Sequence, residues 1–325
     1  MSIVQNSFFR ISSLTSAKTT MKMMLVSVIC MMVTLGCTDE KPEGKLIGFD
    51  LQGHRGTRGL LPENTIPAFK RALEIGVTTL EMDVVLTSEG MVVVSHDPWF
   101  SSQICSHPDG SPITESEEKD LRLFDMTYEE VKKYDCGSRG HPKFPDQEAM
   151  VVFKPLLSDV IKTSETHTDS QGSPGVYYNI EIKSAPDRDG LYYKSVAEYA
   201  RQLYAVLVDG GVLDRSFVQS FDPRALEMMH EIDPALPLGL LVNNDDGLIT
   251  NLERLSFTPV VYSPHERLVD AALVDSIHER NIRIIPWTVN QTERMKELLS
   301  LGVDGIITDY PDRGKALFDD QGNQE

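Results

Sequence analysis

Short apolar runs rich in Val and Ile alternate with segments of helical period along most of this chain, and that alternation is the tightest constraint on its fold. Strand-like runs fall at 46–52, 79–85, 91–95, 176–182, 216–220, 237–242, 259–262, 282–287 and 304–307. Helical patterns fall at 65–75, 155–165, 190–208, 222–232, 266–280 and 291–300. Strands separated by helices make βαβ units, in which the helix carries the chain back and the strands pair in parallel. About eight repeats over roughly 270 residues match a (β/α)8 TIM barrel better than an open sheet. No internal sequence repeat points to a solenoid. One such barrel uses most of the 325 residues.

Two features interrupt the pattern. "VVLTSEGMVVV" joins two strand runs through Thr87–Gly90 alone. A parallel crossover needs a dozen residues or more, so this is a hairpin. Pairing Leu86 with Met91 across the turn sets Glu81 opposite His96, where Cβ atoms lie about 5 Å apart. Residues 98–154, after the third strand, are polar, Pro-rich and without period. They read as an insertion, a cap over one end of the barrel; loops of this length are functional or disordered.

Composition narrows the partners. Net charge is −18 and the pI about 4.8. So acidic a chain is a poor nucleic-acid binder, which needs a basic face. A small anion can still be bound where local cations or a metal reverse the field. "MKMMLVSVICMMVTLGC", from Met21 to Cys37, is a positive start, a short apolar run and a small residue before a cysteine. It resembles a bacterial lipoprotein signal, although Thr34 stands where Leu is usual. The expectation is a signal over 1–37 with Met21 a candidate start, lipidation at Cys37 and a tether over 38–45. The protein is then exported, periplasmic or membrane-anchored. An ordinary cleaved signal or an uncleaved anchor is the alternative. The barrel is expected over 46–316, with a polar tail at 317–325. Cys105 and Cys136 remain, and in an oxidising compartment they can pair or stay free.

Glu81 and Asp83 in "LEMDVV" are two apart and share one face of a strand. Two carboxylates on an otherwise apolar strand repel each other and lose solvation. A hard cation, Ca²⁺ or Mg²⁺, removes both problems. In "YYNIEIKS", Glu181 and Lys183 share a face at the C-terminal end of a strand, the end where barrel active sites sit. Glu181 can supply a third carboxylate and Lys183 can offset an anion; a plain ion pair between the two is the alternative. "GHRGTRGLLPENTIPAF" puts His54 and Arg55 after the first strand. Arg suits bidentate capture of phosphate. His54 and His96 then flank a metal–carboxylate centre, one fit to act as general base and the other as general acid. The set suits phosphoryl transfer at a phosphodiester.

Together "GHRG", "PENTIPAFKRALEIG", "LEMDVVLTSEGMVVVSHDP", "IEIK", "WTVN" and "GVDGIITDYP" resemble the glycerophosphodiester phosphodiesterase family, from about Gly53 to Pro311. The resemblance implies a phosphodiesterase barrel that uses Ca²⁺ or Mg²⁺ to cleave a small glycerophosphodiester into glycerol 3-phosphate and an alcohol. It implies His54 and His96 as the acid/base pair, Glu81, Asp83 and Glu181 as metal ligands, and Arg55 and Lys183 as phosphate holders. Substrate choice would lie in the cap. The rivals are another phosphodiester, such as a phospholipid headgroup or a polymer, and an inactive lipoprotein that only binds a phosphorylated ligand.

Other residues are less distinctive. Asn64 reads as a helix N-cap, and Glu63 as reaching the loop after the first strand. Ser220, Phe221 and Trp287 end strands and face the mouth; Trp287 can stack on glycerol or simply pack. Asp309 reads as a loop cap. His107, His141, His167, His230, His265 and His278 read as surface or loop residues.

Overall fold

The computed structural model describes residues 48–322, apart from 174. The proposed signal, the Cys37 lipidation site and the tether lie outside the described residues. Among the described residues no helix is long and apolar enough to cross a membrane.

Among the described residues eight strands follow the order β8-β7-β6-β5-β4-β2-β1-β9, and a ninth, β3, pairs with β2 outside this path. They are β1 (Asp50–Gly53), β2 (Thr79–Leu86), β3 (Val92–Val94), β4 (Tyr177–Ile182), β5 (Ser216–Ser220), β6 (Leu238–Val242), β7 (Val261–Pro264), β8 (Arg283–Ile284) and β9 (Gly305–Thr308). Every pairing along the path is parallel. The seam between β8 and β9 is bridged by Asp304 N–H to Ile284 O at 3.0 Å and Ile307 N–H to Pro286 O at 2.9 Å. The result is the (β/α)8 barrel that the alternation requires. β8 is shorter than its apolar run because Pro286 has no N–H to give the ladder.

The outer shell is apolar. Leu80, Met82, Val84, Ile180, Ile182, Val218 and Leu240 point out from the strands. They meet helices α1 (Ile66–Ile75), α3 (Leu157–Gln171), α4 (Val196–Asp209) and α5 (Pro223–Ile232) through residues such as Phe69, Ile161, Leu203 and Leu226, while the short α2 (Tyr128–Val131) belongs to the insertion. The alternate strand residues point in, and they divide the interior. Phe217, Val261, Ile285 and Ile307 form a small apolar cluster with Trp287. Gln52, Asn179, Glu81, Asp83, Glu181 and Gln219 are buried and polar. A buried polar interior is costly unless its groups are paired, so its presence marks a site rather than a packing solution.

Several helix boundaries differ from the periodic pattern, each for a local reason. α3 runs six residues past 165 through the polar "THTDSQ" and stops at Gly172, whose φ of +62° suits the left-handed cap. α4 begins only at Val196, where the Ser195 side chain accepts from Glu198 N–H. The pattern at 266–280 resolves into a 3-10 turn and then a helix over Ala271–His278, started by Asp270 accepting from Leu273 N–H. A helix over Pro311–Gly322 replaces the expected tail from 317 for most of its length.

The hairpin register also differs. Val84 pairs with Val94 and Leu86 with Val92, so position 81 faces 97 and not His96. The connection is three residues, Ser88–Gly90, because Thr87 N–H bonds Met91 O and Gly90 takes a φ of +76°. His96 reaches the site because the ladder ends with Ser95 N–H bonding Asp83 O and the chain then turns, with Ser95 Oγ donating to Asp97 O.

Residues 98–154 carry a core of their own. Phe100, Ile113, Leu123, Tyr128 and Val131 pack with Val85 and Val93, on the hairpin face that continues the parity of Glu81 and Asp83. A disulfide joins Cys105 to Cys136 within it. The insertion is tied to the barrel mouth by Gln147, whose Nε2 donates to Arg58 O and Leu61 O.

Candidate active site

The turn after β1 is built on an arginine in an unusual conformation. Arg55 has φ of +52°, a left-handed geometry that costs a non-glycine residue about 1 kcal/mol or more. The turn aims its backbone N–H at Glu81 Oε2, 2.9 Å away. Gly56 follows at φ +83°, and a Cβ there would lie 2.7 Å from the Ala68 backbone. Only glycine lets the turn sit this close to α1. Asn64 is also left-handed, at φ +56°, and its Nδ2 donates to Asp83 Oδ2 at 2.9 Å. Asn64 therefore serves the carboxylate pair; the N-cap of α1 is Thr65.

Glu81 and Asp83 from β2 and Glu181 from β4 converge, with one oxygen of each within 4.8 Å of the others. All three are buried. Burial raises Glu81, and Asp83 and Glu181 raise it further, so its carboxyl stands well above the usual range. Burial also raises Glu181, helped by Asp83 and resisted by Lys183, to about 7. Asp83 goes the other way: burial is outweighed by Arg55 and Lys183, which hold it ionised. Lys183 Nζ is 2.8 Å from Glu181 Oε1 and 3.6 Å from Asp83 Oδ1.

Asp83 Oδ1 has no hydrogen bond, and neither does the buried Gln219 Oε1 beside the cluster. A buried carboxylate oxygen left without a donor is costly. Three crowded carboxylates and an orphaned oxygen fit a hard, oxygen-seeking divalent cation. Glu81, Asp83 and Glu181 would hold it.

The two histidines are oriented alike. His54 Nδ1 lies 2.6 Å from Asp309 Oδ1. Asp309 is held below its usual pKa, because His54 outweighs the effect of burial. An ionised Asp309 accepts from Nδ1–H, which leaves Nε2 of His54 free to take a proton. Asp309 is thus the orienting partner of His54 and not merely a loop cap. Asn290 fixes it in turn, donating from Nδ2 to Asp309 Oδ2 at 2.7 Å and accepting from Asp309 N–H at 3.0 Å. His96 Nδ1 lies 3.0 Å from Asp97 Oδ1. Burial, with Arg55 and Lys183 near, lowers His96 to about 4. Burial lowers His54 as well, against the pull of Asp309.

Arg55 is buried and engaged. Its Nη1 donates to Glu63 Oε1 at 2.8 Å, and its Nε is 3.1 Å from Asp83 Oδ2, close as charges but not aligned as a hydrogen bond. Burial raises the Glu63 carboxyl, but Arg55 and Arg58 outweigh it and hold the group far below its usual pKa. Glu63 does reach the loop after β1, as expected.

His54, Arg55, Glu81, His96, Glu181, Lys183 and Trp287 line one cavity of about 150 Å3. Asp83 lies beneath it through its contacts with Lys183 and Arg55. Phe221 and Trp287 meet edge to face, with ring centroids 5.3 Å apart, and Trp287 Nε1 donates to Ser263 O. A larger hollow of about 660 Å3 opens beside Leu73–Thr78, but no cluster of acids and bases lines it. The chemistry belongs to the smaller cavity.

Sequence reasoning missed Asn64, Arg58, Gln219, Asp97 and Asn290 as site residues. Gln219 donates to Glu81 Oε1 at 3.1 Å. Its signal was present: a polar residue at the inward parity of a buried strand, between Phe217 and Phe221. His141, read as a surface residue, is buried, with Nε2 4.0 Å from Glu63 Oε2.

A family model described as the glycerophosphoryl diester phosphodiesterase family matches residues 54–313. The chain is 30% identical over 269 residues to the glycerophosphodiester phosphodiesterase of Caldanaerobacter subterraneus subsp. tengcongensis, covering 80% of this chain and 93% of that one. A glycerophosphoryl diester phosphodiesterase-family protein of known structure from Silicibacter pomeroyi superposes with a TM-score of 0.76 at 28% identity, over 85% of this chain and 94% of that one. A phosphodiesterase from Oleispira antarctica, solved with its product sn-glycerol 3-phosphate, shares the fold with a TM-score of 0.67 at 22% identity, over 84% and 97%. The chain belongs to the glycerophosphoryl diester phosphodiesterase family.

Proposed function

We propose that this protein hydrolyses small glycerophosphodiesters to glycerol 3-phosphate and an alcohol, with His54 and His96 as the acid/base pair. The observation that carries this reading is the pairing of two imidazoles, each with a carboxylate at Nδ1, with three crowded carboxylates in one cavity. The Oleispira enzyme's complex with sn-glycerol 3-phosphate supports a product of this class.

When bound by Glu81, Asp83 and Glu181, Ca²⁺ or Mg²⁺ neutralises those carboxylates and draws charge from phosphoryl oxygens. The phosphate anion competes for Lys183 and Arg55, which the acids hold in its absence. One histidine takes the proton of the glycerol 2-hydroxyl, and that oxygen attacks phosphorus. The bond from phosphorus to the alcohol oxygen breaks, and the other histidine protonates the leaving alcohol. The cyclic phosphate is then opened by water with the two roles reversed, giving glycerol 3-phosphate. Trp287 and Phe221 wall the apolar side and help exclude solvent.

The test is release of glycerol 3-phosphate from glycerophosphocholine by the purified protein. Release with Ca²⁺ or Mg²⁺ and none with EDTA is expected. A folded protein that releases none with either metal rejects the reading.

Export as a lipoprotein is the companion proposal. Its support is the Cys105–Cys136 disulfide, a bond that persists in oxidising compartments. Radiolabelled palmitate that enters the protein but not its Cys37→Ala variant is the expected result; no label in either rejects the anchor.

A further inference from the structure

Arg58 stands in the catalytic cavity with only part of its guanidinium engaged. It lines the cavity beside His54 and Arg55, and its side chain is only 16% exposed. Its Nε is 2.7 Å from Glu63 Oε2 but out of line for a hydrogen bond, so both atoms are unsatisfied. Neither Nη makes a hydrogen bond among the described residues. Nε is buried without a hydrogen bond, and the four Nη–H donors have no protein acceptor among the described residues, which leaves them to solvent or to a ligand.

Arg58 is nevertheless held firmly. Its guanidinium stacks 4.9 Å from the centre of the Phe144 ring, a residue of the insertion. Its backbone carbonyl accepts from Gln147 Nε2 at 2.7 Å. Glu63 is shared by the guanidinium groups of Arg55 and Arg58, so it does not saturate Arg58. A rigid, planar, under-satisfied guanidinium suits bidentate capture of an anionic group.

Its place in the barrel says which part of a substrate it meets. The phosphate belongs at the centre, with Arg55 and Lys183. Leu241 and Phe221 come from the ends of β6 and β5, and β6 lies across the barrel from β1 in the strand order. That wall is apolar and suits the glycerol carbons. Arg58 projects from the turn after β1, on the side closed by the insertion.

We propose that Arg58 is a specificity-determining residue that takes an anionic group on the alcohol portion of the substrate. The inference rests on the phosphodiesterase reading and deepens it. The enzyme then favours diesters whose alcohol carries a carboxylate or a second phosphate.

Glycerophosphoserine and glycerophosphoethanolamine differ by one carboxylate, so the ratio of their kcat/KM values reads the contact. The wild-type ratio is expected to favour the serine diester about tenfold or more, as a charge-assisted hydrogen bond allows. In Arg58→Gln the ratio falls to about one, and Arg58→Lys keeps part of it. Any loss of folded protein lowers both activities and cancels in the ratio. A wild type without preference overturns the inference, as does an Arg58→Gln variant with the preference intact. No glycerol 3-phosphate from either diester, with Ca²⁺ or Mg²⁺, overturns the phosphodiesterase reading and this inference with it. Release from both without preference overturns this inference alone.

Discussion

His54 Nδ1 and Asp309 Oδ1, 255 positions apart in sequence, lie 2.6 Å apart in space. The first and last barrel strands are neighbours, and His54 N–H bonds Thr308 O across them. Closure of the barrel therefore sets the tautomer of a proposed acid/base residue. Asp309→Asn should lower kcat by about 100-fold or more, because the amide no longer enforces Nδ1–H. KM should stay within about threefold of wild type. Steady-state kinetics on a folded variant checks this, and an unchanged kcat removes Asp309 from the mechanism.

Replacing either histidine should be far more costly than replacing its neighbours. His54→Ala and His96→Ala are each expected to lower kcat by about 10²–10⁴-fold. The double variant should lose little beyond the worse single, as groups acting in one step are not additive. If each single variant stays within about threefold of wild type, the acid/base assignment is wrong.

Metal binding should release a proton, depending on pH. Burial and the nearby Asp83 lift Glu181 to about 7, so without metal it is protonated below that pH although a free carboxyl would be ionised. The cation needs the carboxylates, so its affinity rises with pH through that value, and Glu81, which is also raised, extends the rise. Calorimetry of Ca²⁺ binding in two buffers of different ionisation enthalpy should find more proton release at pH 6 than at pH 8.5. Equal release at both contradicts the shift.

His96 should titrate as an unusually weak base in the metal-free protein. Burial lowers its pKa to about 4, with Arg55 and Lys183 adding to the effect. A histidine depressed in this way contributes stability above its ordinary value of 6.5, and that stability is lost as pH falls to about 4. NMR titration of the imidazole should place its midpoint well below 6.5, and Lys183→Met should move it up. A midpoint near 6.5, unmoved by Lys183→Met, contradicts this.

The disulfide should hold the insertion more than the barrel. Cys105 and Cys136 are 31 positions apart and both lie in the small core of Phe100, Ile113 and Leu123. On the chain-entropy model a loop of this length adds about 3–4 kcal/mol. The Cys105→Ser/Cys136→Ser double variant should be cut by protease within 98–154 while the barrel fragments persist. Cleavage spread evenly over the chain argues that the bond supports the whole fold.

Much of the site was legible because barrel strands have period two. Glu81 with Asp83 and Glu181 with Lys183 announce themselves as charges at one parity of apolar strands. The structure adds that Lys183 and Arg55 are already engaged by those acids. Asn64 was misread because an Asn before a helix is usually its cap; here the left-handed turn of "ENT" spends it on Asp83. The hairpin register was off by one because the loop length rests on a single glycine conformation, which hydropathy does not reveal. The burial of His141, in the insertion, and of Arg58, which the insertion's Phe144 covers, is not legible because the insertion has no periodic pattern.

The sequence by itself determined the barrel, the carboxylate triad, the two histidines and the family, since each rests on local pattern and spacing. The tertiary structure alone decided the partnerships. Asp309 finds His54 only because the last strand closes on the first, and Arg58 meets Phe144 only because the insertion folds back over the mouth. Local pattern shows which way a side chain points from its own strand; which side chain it meets depends on closure, which brings distant segments into contact.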